Sequence, residues 1–524
     1  MAVRLTALLY AGLLAGTMGH IGAASAQPKT VWITVGDAAY AQLKKSAPEL
    51  VTRESRSALV SSGSAKGVAA QEKVHLVEVD EQQMLKLSSA VHRELHRCGG
   101  FMAHASEAAG VSALSPAPAS KAASLAVPRP PYAIDQQTVV NPMLPQMQAA
   151  NIGQTITDLS AFTNRYYTTT GGVNASNWIK NKWATMAAGR ADIAVTQFTH
   201  AAYAQKSVIA TIAGTDNASE VVVIGAHIDS ISGGGTGETT RAPGADDDAS
   251  GVASMTEALR VMIASGYKPR RTIKFIGYAA EEVGLRGSQE IAQWHKANNV
   301  NVVGVMQLDM TNYKGSPSDV YIYTDYTDSL QNDFVVRLLT TYQPTLTIGY
   351  DKCGYGCSDH ASWTAQGYWA SMPFETSFTQ DNPYIHTAND TYANSGNQAD
   401  HALKFARLGL SFAVELGSDG PGVQPPPDVV TTYTGNLLRN EKKTFGPFKA
   451  GAGGFKASTT GSGDADLYVR KATAPTTTSF DCKSDGSTSA ETCSITLAAN
   501  GDVYVLLNGY SASSYTLTVS HRPQ

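Results

Sequence analysis

Short apolar runs rich in β-branched residues recur along the chain, separated by polar and glycine-rich stretches. Near the N-terminus, Val31-Trp32-Ile33-Thr34-Val35 and Val74-His75-Leu76-Val77-Glu78-Val79 are strand-like. With the helical stretches between them they predict a small α/β unit over 27–102. Residues 103–127, rich in Ala, Ser and Pro, predict a linker. Residues 129–420 then alternate compact apolar runs (221–224, 272–277, 302–308) with stretches of helical spacing (252–264, 333–342). Buried strands alternating with helices predict an α/β domain with a mostly parallel central sheet flanked by helices. A Pro/Gly stretch at 420–428 marks a second linker, placed over 421–430. Beyond it, over 431–524, short alternating runs such as Val503-Tyr504-Val505-Leu506-Leu507 and Tyr515-Thr516-Leu517-Thr518-Val519 predict a C-terminal β-sandwich.

Composition narrows the function classes. The chain has 524 residues, 43 % of them apolar and 16 % charged, so it has material for several cores. Lys plus Arg is 40 and Asp plus Glu is 44, a net charge of −4. Nucleic-acid binding usually needs a strong basic excess, so no nucleic-acid partner is expected.

The first 26 residues read as a secretory signal. Arg4 supplies the positive start, 5–21 is mostly apolar, and Ala24-Ser25-Ala26 gives a small-residue cleavage site. The competing reading, a transmembrane helix, fits a short, Gly-containing stretch less well. The expectation is a secreted, extracellular protein, not membrane-bound, acting as a monomer. Export permits disulfides. Cys353 and Cys357 sit in a tight Cys-Gly-Tyr-Gly-Cys loop, and Cys482 and Cys493 flank a polar turn; each pair can close a bridge, leaving Cys98 over. A metal pair remains the alternative for Cys353 and Cys357. Residues 27–128, a small unit followed by a protease-accessible linker, have the organisation of a propeptide, and Cys98 would leave with it.

Residues that carry chemistry concentrate in 129–420. A buried run ends in His227-Ile228-Asp229, and sites in α/β sheets form beyond the carboxyl ends of strands. A histidine there suits a metal, and the Asp two residues on suits its other ring nitrogen. Asp246-Asp247-Asp248 precedes a helical stretch. One Asp suffices for an N-cap, and three adjacent carboxylates point to a bound cation. Glu281-Glu282 follows another apolar run, as does Asp309, and His386 lies in a polar loop far along the chain. Two His and three carboxylates with a spare Glu can hold two divalent metals through a bridging carboxylate, and mixed N/O ligation suits zinc. His92-Arg93-Glu94-Leu95-His96 imitates a helical zinc motif by its His spacing, but its Glu is in the wrong place, so it reads as a propeptide helix face.

Five segments together resemble the secreted bacterial leucyl aminopeptidases, the co-catalytic di-zinc peptidases of the Aeromonas/Vibrio type. They are Gly-Ala-His-Ile-Asp-Ser, Ala-Pro-Gly-Ala-Asp-Asp-Asp-Ala-Ser-Gly, Tyr-Ala-Ala-Glu-Glu-Val-Gly-Leu-Arg-Gly-Ser, Gln-Leu-Asp-Met-Thr-Asn-Tyr-Lys-Gly and Ile-His-Thr, in the family's order and spacing. Cys-Gly-Tyr-Gly-Cys-Ser-Asp-His is similar to the family's disulfide loop, Cys353 to Cys357. The resemblance implies a di-zinc exopeptidase fold over 129–420, with two Zn2+ per catalytic domain. Asp247 would bridge them, His227 and Asp309 completing one site and Glu282 and His386 the other. Asp229 would orient His227. Glu281 would be the general base in attack by a zinc-bridging hydroxide. The implied substrates are peptides with a free N-terminus and a hydrophobic, preferably leucine, first residue. The implied pocket contains Tyr355, Met372, Phe374, Phe378 and Ile385, with Cys353 and Cys357 in its wall. Tyr323 and Asp381 differ from the aliphatic and aromatic residues usual at that wall. Gly463-Asp464-Ala465-Asp466-Leu467-Tyr468-Val469 resembles a pre-peptidase C-terminal domain. Two other functions share this fold. A carboxypeptidase or dipeptidase would need a cationic cluster for the substrate carboxylate, and only Arg241 and Arg286 lie near the motifs. A non-catalytic binding protein would have lost ligands that are all present here.

Overall fold

The computed structural model describes residues 30–60, 70–95, 99–114, 129–419, 429–497 and 499–523. The expected signal segment, His96, Cys98 and most of both expected linkers lie outside the described residues. No helix among the described residues is long and apolar enough to cross a membrane.

The N-terminal unit is built from strands β1 (Thr30–Gly36), β2 (Glu54–Val60), β3 (Ala70–Asp80) and β4 (Phe101–His104), all antiparallel in the order β2-β3-β1-β4. Helices α1 (Asp37–Ser46), α2 (Glu81–Leu95) and α3 (Glu107–Leu114) accompany them. Ile33, Val35, Leu43, Val77, Leu87, Val91 and Phe101 form its own core. The predicted linker at 103–127 begins too early. Ala103 and His104 pair with Ile33 and Trp32, and α3 carries the chain on to Leu114. Alanine is the strongest helix former, so an Ala-rich composition did not exclude a helix. Gly110 lets α3 lie close on β3, since a Cβ there would meet Leu76 Cδ1 at 2.3 Å.

The central domain opens with α4 (Gln137–Met143), α5 (Ala149–Ser160), α6 (Thr170–Met186), β5 (Ile193–Phe198) and β6 (Ser207–Ile212). It continues through β7 (Asn217–His227), α7 (Ala249–Ala264), β8 (Arg271–Tyr278), α8 (Arg286–Ala297) and β9 (Asn301–Gln307). It closes with β10 (Val320–Tyr323), α9 (Ser329–Tyr342), β11 (Ile348–Asp351), α10 (His360–Ala365), β12 (Ala370–Phe374) and α11 (Asp400–Ser418). The eight strands run in the order β11-β10-β12-β9-β7-β8-β6-β5. Along β7, Val222 and Ile224 pack into one core with α7 and α11, while Val221 and Val223 face Ile291 and Trp363 of α8 and α10. Alternate side chains point to opposite faces, and both faces are covered, which is why β7 reads as an unbroken apolar run.

The sheet is mixed rather than mostly parallel. β8, β7, β9 and β12 are parallel, as are β10 and β11, but β5–β6, β6–β8 and β10–β12 are antiparallel. The apolar runs look alike in either direction. Only the helical crossovers after β7, β8 and β10 force parallel neighbours. That parallel centre positions the site, because β7, β8 and β9 all end at the same edge.

The C-terminal strands are β13 (Val429–Leu437), β14 (Lys442–Thr460), β15 (Ala465–Lys471), β16 (Cys482–Ser484), β17 (Glu491–Leu497), β18 (Gly501–Gly509) and β19 (Ser513–Pro523). They form one seven-stranded antiparallel sheet curled toward a barrel, not two stacked sheets. The cause is β14, which pairs with β17, β18 and β19 along its length and shifts register between Phe445 and Phe448. Phe445, Phe455, Leu467, Val505 and Leu517 fill its core. A disulfide joins Cys482 to Cys493.

Candidate active site

Two groups of potential ligands meet beyond the carboxyl ends of β7, β8 and β9: His227, Asp247 and Asp309, and Asp247, Glu282 and His386. His227 Nε2 lies 3.0 Å from Asp247 Oδ1 and 3.4 Å from Asp309 Oδ1. His386 Nε2 lies 3.0 Å from Asp247 Oδ2 and 3.1 Å from Glu282 Oε2. Each oxygen of Asp247 therefore serves a different imidazole. Ligand atoms 2.0–2.2 Å from a tetrahedral zinc lie roughly 3.3–3.6 Å apart, close to these separations. The donors also fit zinc chemically, and Glu282 Oε1 is buried without a hydrogen-bond partner among the described residues. Glu281 stands outside both groups, its Oε2 4.0 Å from His227 Nε2.

The surrounding backbone fixes each carboxylate. Asp248 caps α7, accepting from Gly251 N at 2.8 Å, and also accepts from His227 N (2.9 Å) and Met310 N (3.1 Å). Asp246 accepts from Asn312 N at 3.1 Å and Asn382 Nδ2 at 2.8 Å. Of the three adjacent aspartates, only Asp247 thus faces the ligand groups; both explanations of the triplet hold, for different members. Asp229 Oδ1 is 3.6 Å from His227 Nδ1, too long for a hydrogen bond. Its firm bonds are to Glu281 N (2.9 Å) and Glu282 N (3.1 Å), so it ties the Glu-Glu turn to the end of β7. Ser358 Oγ donates to Asp309 at 2.6 Å. Ala280, Met310 and His386 adopt φ of 56°, 56° and 54°. Such left-handed backbone is costly for non-glycine residues and clusters where surrounding structure over-determines a site.

The electrostatics call for cations. Burial weighs against protonated imidazoles, yet Asp309 and Glu281 raise His227, and Glu282 and Asp247 raise His386, well above the usual range. Burial pushes Glu282 up to about 7 and Glu281 well above the usual carboxyl range, with neighbouring carboxylates adding to both. Asp247 goes the other way: bonds from the two histidines outweigh burial and hold it low. Carboxylates so crowded hold protons unless a metal supplies the positive charge.

Comparison with known proteins agrees with this geometry. Residues 207–410 match the model of peptidase family M28, and 448–509 match the bacterial pre-peptidase C-terminal domain. Leucine aminopeptidase 1 of Coccidioides posadasii is 36 % identical over 300 residues, covering 55 % of this chain and 76 % of that protein. The chain belongs to peptidase family M28. It is a zinc-dependent aminopeptidase, a hydrolase. The Phaeosphaeria nodorum leucine aminopeptidase 1 is 37 % identical over 53 % of this chain and 73 % of its own length. The solved LapA aminopeptidase of Legionella pneumophila superposes with a TM-score of 0.60 at 30 % identity, covering 75 % of this chain and all of that one. LapB of the same organism gives 0.59 at 31 %, with the same coverage.

The M28 site has a buried support that the sequence analysis missed. Arg165, 1 % exposed, donates from Nε to Ile228 O at 2.7 Å, from Nη1 to Pro243 O, and from Nη2 to Gly244 O at 2.8 Å. One guanidinium thus clamps the His227–Asp229 turn to the loop entering Asp246–Asp248. Gly244, at φ 52°, makes room: a Cβ there would meet Arg165 Nη2 at 2.7 Å. Burial disfavours this charge, and Asp390, Asp248, Asp229 and Asp247 favour it. No local motif marks an arginine that bonds backbone carbonyls, most of them distant in sequence. Arg165→Met is expected to strand buried carbonyls at about 1–3 kcal/mol each and to weaken zinc binding at least tenfold. Lysine should not rescue it, because an ammonium lacks the planar fork. Thermal melts and chelator competition would check this; a folded Arg165→Met chain with normal zinc affinity would refute it.

Tyr355, Met372, Phe374, Phe378 and Ile385 form one buried cluster, which also takes in Met310, Tyr321 and Tyr323. The Cys353–Cys357 disulfide belongs to its wall. Across the site lies α2 of the N-terminal unit. Its Ser88 Oγ is 3.2 Å from His386 Nδ1, and Leu85 packs against the cluster that contains Tyr166, Tyr167, Ile231, Ala280 and Val283. Glu81 at the start of α2 accepts from Tyr166 and Tyr167 hydroxyls at 2.6 and 2.7 Å. Ala103 of β4 bonds Gly284 O at 3.0 Å, just past the Glu-Glu turn.

Proposed function

We propose that this chain is a secreted, monomeric aminopeptidase of the Aeromonas/Vibrio type that holds two zinc ions and releases N-terminal hydrophobic residues, leucine foremost, from peptides. The observation that carries this reading is Asp247, whose two oxygens each stand 3.0 Å from a different histidine nitrogen. Two zinc ions bound there would activate water near neutral pH and polarise the scissile carbonyl. Glu281 Oε2 takes the proton of the attacking water and returns it to the leaving amine. Its place outside both ligand groups, beside them, leaves its carboxylate available for that exchange. Asp229 holds the Glu281–Glu282 turn, so base and ligand keep a fixed separation. The apolar cluster around Phe374 and Phe378 supports a hydrophobic first side chain, and the leucine aminopeptidase relatives support the same choice. The signal-like 1–26 segment and two disulfides support export.

The test uses two matched leucine anilides, one with a free α-amine and one N-acetylated, with and without a chelator. Chelator-sensitive cleavage of the free amine alone is expected. Equal cleavage of both would refute exopeptidase action.

The N-terminal unit, in this reading, is a propeptide that delays activity, with α2 covering His386. Cutting the chain within 115–128 and removing the freed unit is expected to raise kcat/KM at least tenfold. Equal rates before and after removal would refute the latency.

A further inference from the structure

The loop between Phe378 and Ile385 carries a group that the reaction above does not use. The side chain of Asp381 is 2 % exposed, and its Oδ2 has no hydrogen-bond partner among the described residues. Burying a carboxylate without donors is expensive, and such an exception calls for a reason. The loop is not free to turn the group outward. Asn382 Nδ2 is bonded to Asp246 at 2.8 Å, and Tyr384 N is bonded to Asn382 Oδ1 at 3.0 Å. Phe378 and Ile385, at the loop's two ends, both belong to the apolar cluster beside the ligand groups.

What meets Asp381 in the full chain is a basic side chain from α2. His92 Nδ1 stands 3.7 Å from Asp381 Oδ2, and His92 Nε2 stands 3.2 Å from Pro383 O. The His92 ring centroid lies 5.7 Å from that of His386. The N-terminal unit therefore seats a nitrogen base between a potential metal ligand and an otherwise unbonded carboxylate. In the aminopeptidase reading above, α2 fills the space that a substrate's first residue takes once α2 has left.

We propose that Asp381 is a specificity-determining residue that makes this pocket take cationic first side chains, lysine and arginine, as well as apolar ones. The inference rests on the aminopeptidase reading above. A lysine or arginine stem would lie along the apolar wall while its charged head reached the carboxylate. Norleucine, with lysine's four-carbon stem but no ammonium, would leave Asp381 unpartnered, and a site built around a polar group discriminates against a matched ligand that cannot satisfy it; leucine, shorter and branched, would be held by the apolar wall alone.

The experiment compares lysine and norleucine anilides, which share a four-carbon stem and differ in the ammonium, using the chain freed of its N-terminal unit. That unit has its own core, and the central domain is built around a separate one. Wild type is expected to favour lysine over norleucine at least tenfold in kcat/KM. Asp381→Asn should lower that ratio at least tenfold, chiefly through KM for lysine, and Asp381→Glu should keep more of it. A wild-type ratio of one or below, or a ratio unmoved by Asp381→Asn, overturns the inference, with leucine anilide still cleaved. Failure of wild type to cleave any of these anilides, leucine included, overturns the aminopeptidase reading and this inference with it.

Discussion

Replacing Glu281 by alanine is expected to leave zinc binding at the wild-type level and to lower kcat about 10²–10⁴-fold, the usual worth of a positioned general base. The separation of these effects follows from geometry. Glu281 Oε2 is 4.0 Å from His227 Nε2, whereas the ligand contacts run from 3.0 to 3.4 Å. Removing it deletes no member of either ligand group. Its backbone N–H, which Asp229 accepts, survives the substitution, so Glu282 keeps its place. KM should change little. Steady-state kinetics on leucine anilide, with zinc measured on the same sample, would check both halves. A normal rate would remove Glu281 from the proton path, and lost zinc would make it a ligand.

Asp247→Ala should have the opposite signature: zinc lost and activity lost together. Both ligand groups contain Asp247, so one substitution leaves each with two members. His227 and His386 would then face Asp309 and Glu282 alone. The neighbouring aspartates provide the contrast. Asp246 bonds Asn312 N and Asn382 Nδ2, and Asp248 bonds three backbone N–H groups, so their removal strands buried donors. Each stranded donor costs about 1–3 kcal/mol. Alanine at 246 or 248 is therefore expected to lower Tm well below that of Asp247→Ala. Parallel melts and zinc assays on the three variants would separate the roles; equal zinc loss with unchanged Tm in all three would contradict the division.

The side chains that meet in the two groups were legible because parallel strands put their chemistry at the ends of apolar runs. His227, Glu281-Glu282 and Asp309 each follow such a run, and the runs themselves mark β7, β8 and β9. Strand direction was not legible, since the β5–β6 and β10–β12 pairings leave no mark on composition. Nor was the support around the ligands. Arg165 acts through carbonyls, and Asp229 ties down the Glu-Glu turn, where its spacing from His227 pointed to the imidazole. The helix face at His92 fits no zinc motif, because its Glu is in the wrong place. His92 matters instead for where the N-terminal unit docks, a long-range fact with no local pattern. The single curled C-terminal sheet was hidden for a similar reason: its strands alternate as they would in a sandwich, and only the register shifts of β14 distinguish the two.

In this account Asp247 joins two metal sites. The most direct measurement is zinc bound per chain when chelator-stripped protein is dialysed against rising zinc. The shared carboxylate predicts saturation at two ions in wild type, with Asp247→Ala falling below that. Saturation of wild type at a single ion would contradict it.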